Sequence, residues 1–194
     1  MQIFVERLAR YMALLGGIVL TLLIILTCVS VLGRGLNTFG HSDFLTSLSA
    51  AFADTLISSG VGPINGDFEI VEAGIAFAIF AFLPYTQLHG GHATVDIFTS
   101  MMPRVANNFV TAFWEVVLSA VILLITWRHG AGFIGKLDNG ETTFLLEFPI
   151  WWAYGASLIA AIVASIVALY TAFTAIYGVV TGHPPRPKEE GAGH

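Results

Sequence analysis

Six histidines (His41, His89, His92, His129, His183 and His194), one cysteine (Cys28) and an acid inside an apolar run (Glu115) are the residues of this 194-residue chain whose types could do chemistry. A membrane cytochrome needs histidine pairs facing each other inside a helix bundle. Here every histidine lies at the end of an apolar run, in a segment between runs or in the tail. His89 and His92 are three apart, but a metal site needs further ligands, and Gly90-Gly91 loosens the geometry. A single cysteine excludes a disulfide framework, a cysteine-based zinc site and a dithiol relay within the chain. There is no Gly-x-Ser-x-Gly and no glycine-rich loop ending in Lys-Ser or Lys-Thr, so neither hydrolysis nor ATP-driven pumping has visible machinery. Glu115 remains. An intramembrane acid costs at least a few kcal/mol unless paired or solvated. It either takes part in ion-coupled transport or hydrogen-bonds a neighbouring helix or a partner. One acid with no second intramembrane charge is poor equipment for a proton relay, which favours the structural role.

The elements that must position these residues are membrane spans. The chain is 56% hydrophobic and 11% charged, with a net charge of −5. A soluble domain carries about 25% charged residues, so a soluble enzyme, a disordered chain and a nucleic-acid binder are disfavoured. A helix needs about 20 apolar residues to cross the hydrocarbon core. Four runs qualify: 11–32, 70–88 (with Glu72 in its first turn), 105–127 (broken by Glu115) and 148–180. The last is long for the bilayer, begins at an aromatic belt (Trp151, Trp152) and is expected to project beyond it around 173–180. Arg7 and Arg10 precede the first run as in a signal peptide, but the run is too long and lacks a small-x-small cleavage site, so it reads as a retained helix.

The expected architecture is an all-α integral membrane protein, one domain over 1–181 followed by a polar tail over 182–194. Arg7, Arg10, Arg104, Arg186 and Lys188 share one side, and Arg34, Arg128 and Lys136 the other, which places both termini in the cytoplasm. The first outer loop, carrying Asp43, Asp54, Asp67 and Glu69, holds an amphipathic helix over 42–58 capped by Ser42. Its apolar stripe (Phe44, Leu45, Leu48, Phe52, Leu56) is expected to meet the membrane surface, a partner or its own bundle. A shorter interfacial helix is expected over 93–102, ended by Pro103, and a flexible glycine-rich turn over 128–147. Pro84 is expected to kink or end the second span near its last turn.

Two further sets of residues stand out. Arg34 ends the first span and Glu72 begins the second at the same membrane face, which makes them a candidate inter-helix ion pair. Small residues line the fourth span: Ala153, Ala156, Ala160 and Ala164 are expected, with Glu115, to pack within the bundle or against a partner. No span is broken at the bilayer midplane, the usual mark of a carrier's substrate site.

The segment His92-Ala-Thr-Val95-Asp96, preceded by Gly90-Gly91 and followed by Pro103, resembles the His-x-x-Val-Asp segment of the DctQ-like small membrane subunit of TRAP (tripartite ATP-independent periplasmic) transporters. The stretch from Gly140 through Glu141, Thr142, Thr143 and Pro149 to Tyr154 resembles that family's entry into its fourth helix, and Arg34 and Glu72 fit as well. Two features depart: the first outer loop is long, and Thr94 stands where a basic residue is common.

The resemblance implies a static scaffold subunit in the bacterial inner membrane. Its partners would be a large elevator-type membrane subunit, which holds the sodium and substrate sites, and a periplasmic binding protein that delivers a small organic acid. No cofactor is expected in this chain, sodium being expected in the large subunit. Lipid would surround it, and no nucleic acid is a partner. The competing reading is a membrane anchor of a quinone or haem oxidoreductase.

Overall fold

A computed structural model of the chain describes residues 2–90 and 103–181. Residues 91–102, which hold His92, Val95, Asp96 and the helix expected over 93–102, and the tail after 181 lie outside the described residues. Within them the order is α1 (Gln2–Gly40), α2 (Asp43–Leu48), α3 (Ala50–Ser58), α4 (Asp67–His89), α5 (Arg104–Asn139) and α6 (Ile150–Thr181). Four of these, α1, α4, α5 and α6, are long and apolar enough to cross a membrane. The chain is therefore an all-α integral membrane protein.

The long helices exceed their apolar runs. α1 has 39 residues and α5 has 36. At 1.5 Å per residue each is longer than about 50 Å, against a hydrocarbon core of about 30 Å. Hydropathy reports only the part in lipid; a helix continues into water until something ends it. α5 runs on through Gly130, Gly132 and Gly135 to Asn139, where the flexible turn was expected. It stops at Gly140, whose φ of +62° makes it a left-handed cap donating its N–H to the Lys136 carbonyl. α4 likewise passes through Pro84 and ends at His89, before left-handed Gly90.

The helix expected over 42–58 is two helices. Ser49 interrupts it in an extended conformation and caps the second, accepting the Phe52 N–H on its hydroxyl, just as Ser42 caps the first through Leu45.

α6 is the central element. Half of its most apolar window is buried, against 17–22% for the other three spans. It packs against α4 on one side and α5 on the other, and α4 in turn packs against α1. Small residues make this close packing possible: Ala160, Ala161, Ala164 and Ala168 are fully buried, and Met12, Ala81 and Ala160 form one apolar cluster across α1, α4 and α6.

Candidate functional site

Two arrangements gather the polar side chains that an apolar bundle would otherwise exclude. The first is a plate of connecting segments at the end where α4 and α6 begin. α1 presents Ser30, Gly33 and Asn37 on one face, and the connection from α3 to α4 lies along it. The Ile64 N–H donates to the Ser30 hydroxyl at 3.2 Å, and the Asn37 side-chain amide donates to the Val61 carbonyl at 3.0 Å. Gly33 has no room for a side chain: a Cβ there would lie 2.1 Å from the Gly62 carbonyl oxygen.

The loop from α5 to α6 closes the plate. Thr142 and Pro149 form a bridge, with the Thr143 N–H donating to the Phe148 carbonyl and the Ile150 N–H to the Glu141 carbonyl, both at 3.0 Å. Glu141 pairs with Lys136, whose ammonium holds the Glu141 carboxyl below the usual glutamate range by hydrogen bonding and by its charge. The centre of the plate is Glu69. It is only 6% exposed, and its two carboxylate oxygens accept the Leu145 and Leu146 N–H groups at 2.7 and 2.9 Å. The Thr143 side chain and the Phe144 N–H face the same carboxylate. An acid in the first turn of α4 also meets the positive end of the helix dipole. Gly66, just before α4, has a φ of +76°, and a Cβ there would come within 2.5 Å of Leu146. The resemblance residues Glu141, Thr142, Thr143 and Pro149 therefore build one hydrogen-bonded loop, seated on α4 by a carboxylate.

The expected Arg34–Glu72 pair does not form. The ion pairs among the described residues are Glu6–Arg10 and Lys136–Glu141, and both Arg34 and Glu72 are exposed. α1 continues past Arg34 to Gly40 and uses its face to hold backbone. The buried acid among the described residues is Glu69, one turn before Glu72, and it accepts hydrogen bonds from loop N–H groups rather than pairing with a cation.

The second arrangement is a ladder of polar contacts along the seam between α5 and α6. On α5 the rungs fall at Glu115, Ser119, Thr126 and His129, spacings that keep them on one helical face. The Gln87 side chain, from α4 and 2% exposed, donates to the Glu115 carboxylate at 2.7 Å and lies 3.5 Å from the Thr171 hydroxyl of α6. The Ser119 hydroxyl donates to the Ala168 carbonyl at 2.8 Å. Ser165 donates to the Thr126 hydroxyl at 2.8 Å, and Thr126 lies 3.2 Å from the Ala161 carbonyl. His129 Nε2 meets the Ser157 hydroxyl at 2.8 Å, its ring stacked on Tyr154 and tilted against Phe80. Tyr154 thus joins the ladder rather than the loop.

Glu115 takes the helix-bridging place open to it in the sequence reading, with Gln87 as a partner. Of the alanines, Ala160 and Ala164 are buried between helices and Ala153 is partly buried. Ala156 is exposed, on the outward side of α6. Pro103 immediately precedes α5.

Sequence reading missed Glu69, Gln87 and the serine and threonine rungs. The rungs had a signal: polar residues inside two apolar runs, each set on one face. Glu69 had none, since its partners are backbone groups more than 70 residues away along the chain.

Chemically, these groups bind helices and loops to each other. Among the described residues no three metal-ligating side chains come together. His41, His89 and His129 each have a different local partner, Asn37, Tyr85 and Ser157. The family described as tripartite ATP-independent periplasmic transporters, DctQ component, matches residues 23–178, a stretch that holds Glu69, Gln87, Glu115 and the 140–149 loop. No curated protein and no solved structure matches the chain.

Proposed function

The chain belongs to the DctQ component family of tripartite ATP-independent periplasmic transporters, and from that premise we propose that it is the static scaffold beside the moving parts of such a transporter. DctQ is a transporter component family, and the tripartite system implies a large membrane subunit and a periplasmic binding protein as partners. In our reading the large subunit is of the elevator type and holds the sodium and substrate sites, and the transported solute is a small organic acid. The protein lies in the bacterial inner membrane with both termini in the cytoplasm, so the plate built around Glu69 faces the periplasm.

The observation that carries this reading is how the polar groups are used. The buried or half-buried polar groups described above, Glu69, Gln87, Glu115, Ser119, Ser157 and Ser165, are spent on holding helices or loops in register. A carrier keeps polar groups facing a cavity for its cargo. A scaffold must instead resist deformation while a neighbour slides past it. Small conformational freedom is what a loop clamped by a carboxylate and a seam laced by hydroxyls provide.

The test is reconstitution. Co-expressed with its large subunit, the protein is expected to co-purify with it, and proteoliposomes lacking it are expected to lose binding-protein-dependent uptake. Solute flux in vesicles holding this chain alone would overturn the proposal.

A further inference from the structure

The segment α2–α3 departs from the expected family pattern in its length, and its surface departs from that of a packed lid. It is rooted at both ends. Leu45 and Ala53 are buried, and Gly40, the last residue of α1, sits so close that a Cβ would lie 3.2 Å from Ile57 Cγ1. Beyond Ser59 the chain returns along Ser30, Gly33 and Asn37. Yet Phe44, Leu48 and Phe52 are 67%, 72% and 56% exposed. The charges of the arm are Asp43 and Asp54, both exposed, and no lysine or arginine occurs from residue 35 to residue 103.

Three occupants could cover those apolar side chains. Helices that lie on membranes carry lysine and arginine on the polar face to meet anionic headgroups. This arm has none, and it is divided at Ser49 into pieces of six and nine residues. A soluble protein that docks and leaves would expose three large apolar side chains to water between visits, and transient interfaces are the more polar kind. A permanent protein partner would cover them throughout, and cationic side chains at its rim would complement Asp43 and Asp54.

We infer that α2–α3 is a docking arm for the large membrane subunit: Phe44, Leu48 and Phe52 seat in an apolar groove of that subunit, and Asp43 and Asp54 meet cationic groups beside it. This rests on the scaffold reading above. The experiment co-expresses the tagged full-length chain with its large subunit. The triple variant F44S/L48S/F52S is expected to retain about ten-fold less large subunit on purification. D43N/D54N is expected to lose about two- to three-fold and to bind with less dependence on salt. A photo-crosslinker at Leu48 is expected to yield an adduct with the large subunit. All five side chains are exposed in the free subunit, so its melting temperature is expected to stay unchanged, which separates lost docking from lost folding. Normal recovery of the triple variant, or crosslinks to lipid or to the binding protein alone, would overturn the arm while leaving the scaffold reading intact. Failure of the unaltered chain to co-purify at all would overturn both.

Discussion

The seam between α1 and α4 and the seam between α5 and α6 hold helices together by different means. The first works by shape. Gly16 faces Ala81 at a distance where even a Cβ would be tight, and Gly74 leaves a notch filled by Leu23. The second has close fits of its own, Gly132 against Tyr154 and Gly155 against Phe133, but adds hydrogen bonds at intervals along its length, from Glu115 to His129. In lipid, helices gain nothing from hiding apolar surface from water, because the surrounding tails are equally apolar. Close backbone approach and polar contacts are the two remaining adhesives, and this protein concentrates the polar contacts on one side of its centre. The difference matters for register. A notch admits a neighbouring knob with some tolerance, whereas a hydroxyl must find its particular carbonyl. α5, whose apolar window is 17% buried, packs along α6, and the directional contacts set its register there. α1 is also lightly buried, and at the plate it gains directional fixing through Ser30 and Asn37.

Substitutions can break this contrast. The largest effect is expected where shape alone decides. Gly33→Ala would drive a methyl into the Gly62 backbone, and a loss of about 3 kcal/mol is expected in denaturation of the purified subunit. Gly35→Ala meets nothing within 4 Å and is expected to leave stability unchanged, so equal effects at the two positions would refute the fit. Gly74→Val, whose nearest neighbour is the flexible Leu23 side chain, is expected to cost less, about 1–2 kcal/mol. Polar rungs are individually weaker. Removing Ser119 and Ser165 together is expected to cost about 1 kcal/mol, since interhelical hydrogen bonds in membranes average about 0.6 kcal/mol. A double-mutant cycle on the pair would show whether the rungs act independently.

Glu69→Ala sharpens the comparison at the plate. Amide exchange at Leu145 and Leu146 is expected to become faster while exchange in the middle of α6 stays the same. Uniform loosening would mean that the clamp supports the whole bundle. The smallest effect concerns pH. The Glu141 carboxyl is held below its usual range by Lys136. Its contribution is therefore complete above the ordinary glutamate value and is lost as pH falls through the lowered one. Loop exchange is expected to rise on acidification through that window, and Lys136→Met is expected to abolish the rise.

The sequence declares what lipid demands and little of what happens outside it. The four spans are legible because a long apolar run has one physical use. The helical ends of α1 and α5 are not, because water imposes no length. Gly130, Gly132 and Gly135 look like a turn, although Gly132 is there to let Tyr154 approach, with a Cβ 3.0 Å from its ring. The same limit explains the acids. Glu69 and Glu72 flank the start of the second apolar run, and nothing local tells which one a distant loop will cover. Glu115 is conspicuous because charge in an apolar run is costly, whereas Gln87 hides among ordinary residues near a helix end. The family resemblance locates the 140–149 loop by its residues, and the structure supplies the reason for it: a hydrogen-bonded lid seated on Glu69.

The claim that this protein stands still while its partner moves can be read directly from a distance. Spin labels at Leu36 of α1 and Asp138 of α5, both exposed, would be placed in a Cys28→Ser background within the assembled transporter. One distance distribution is expected, the same with and without a sodium gradient and loaded binding protein. A shift of about 5 Å or more between those conditions, the size of a one-turn slide, would contradict it.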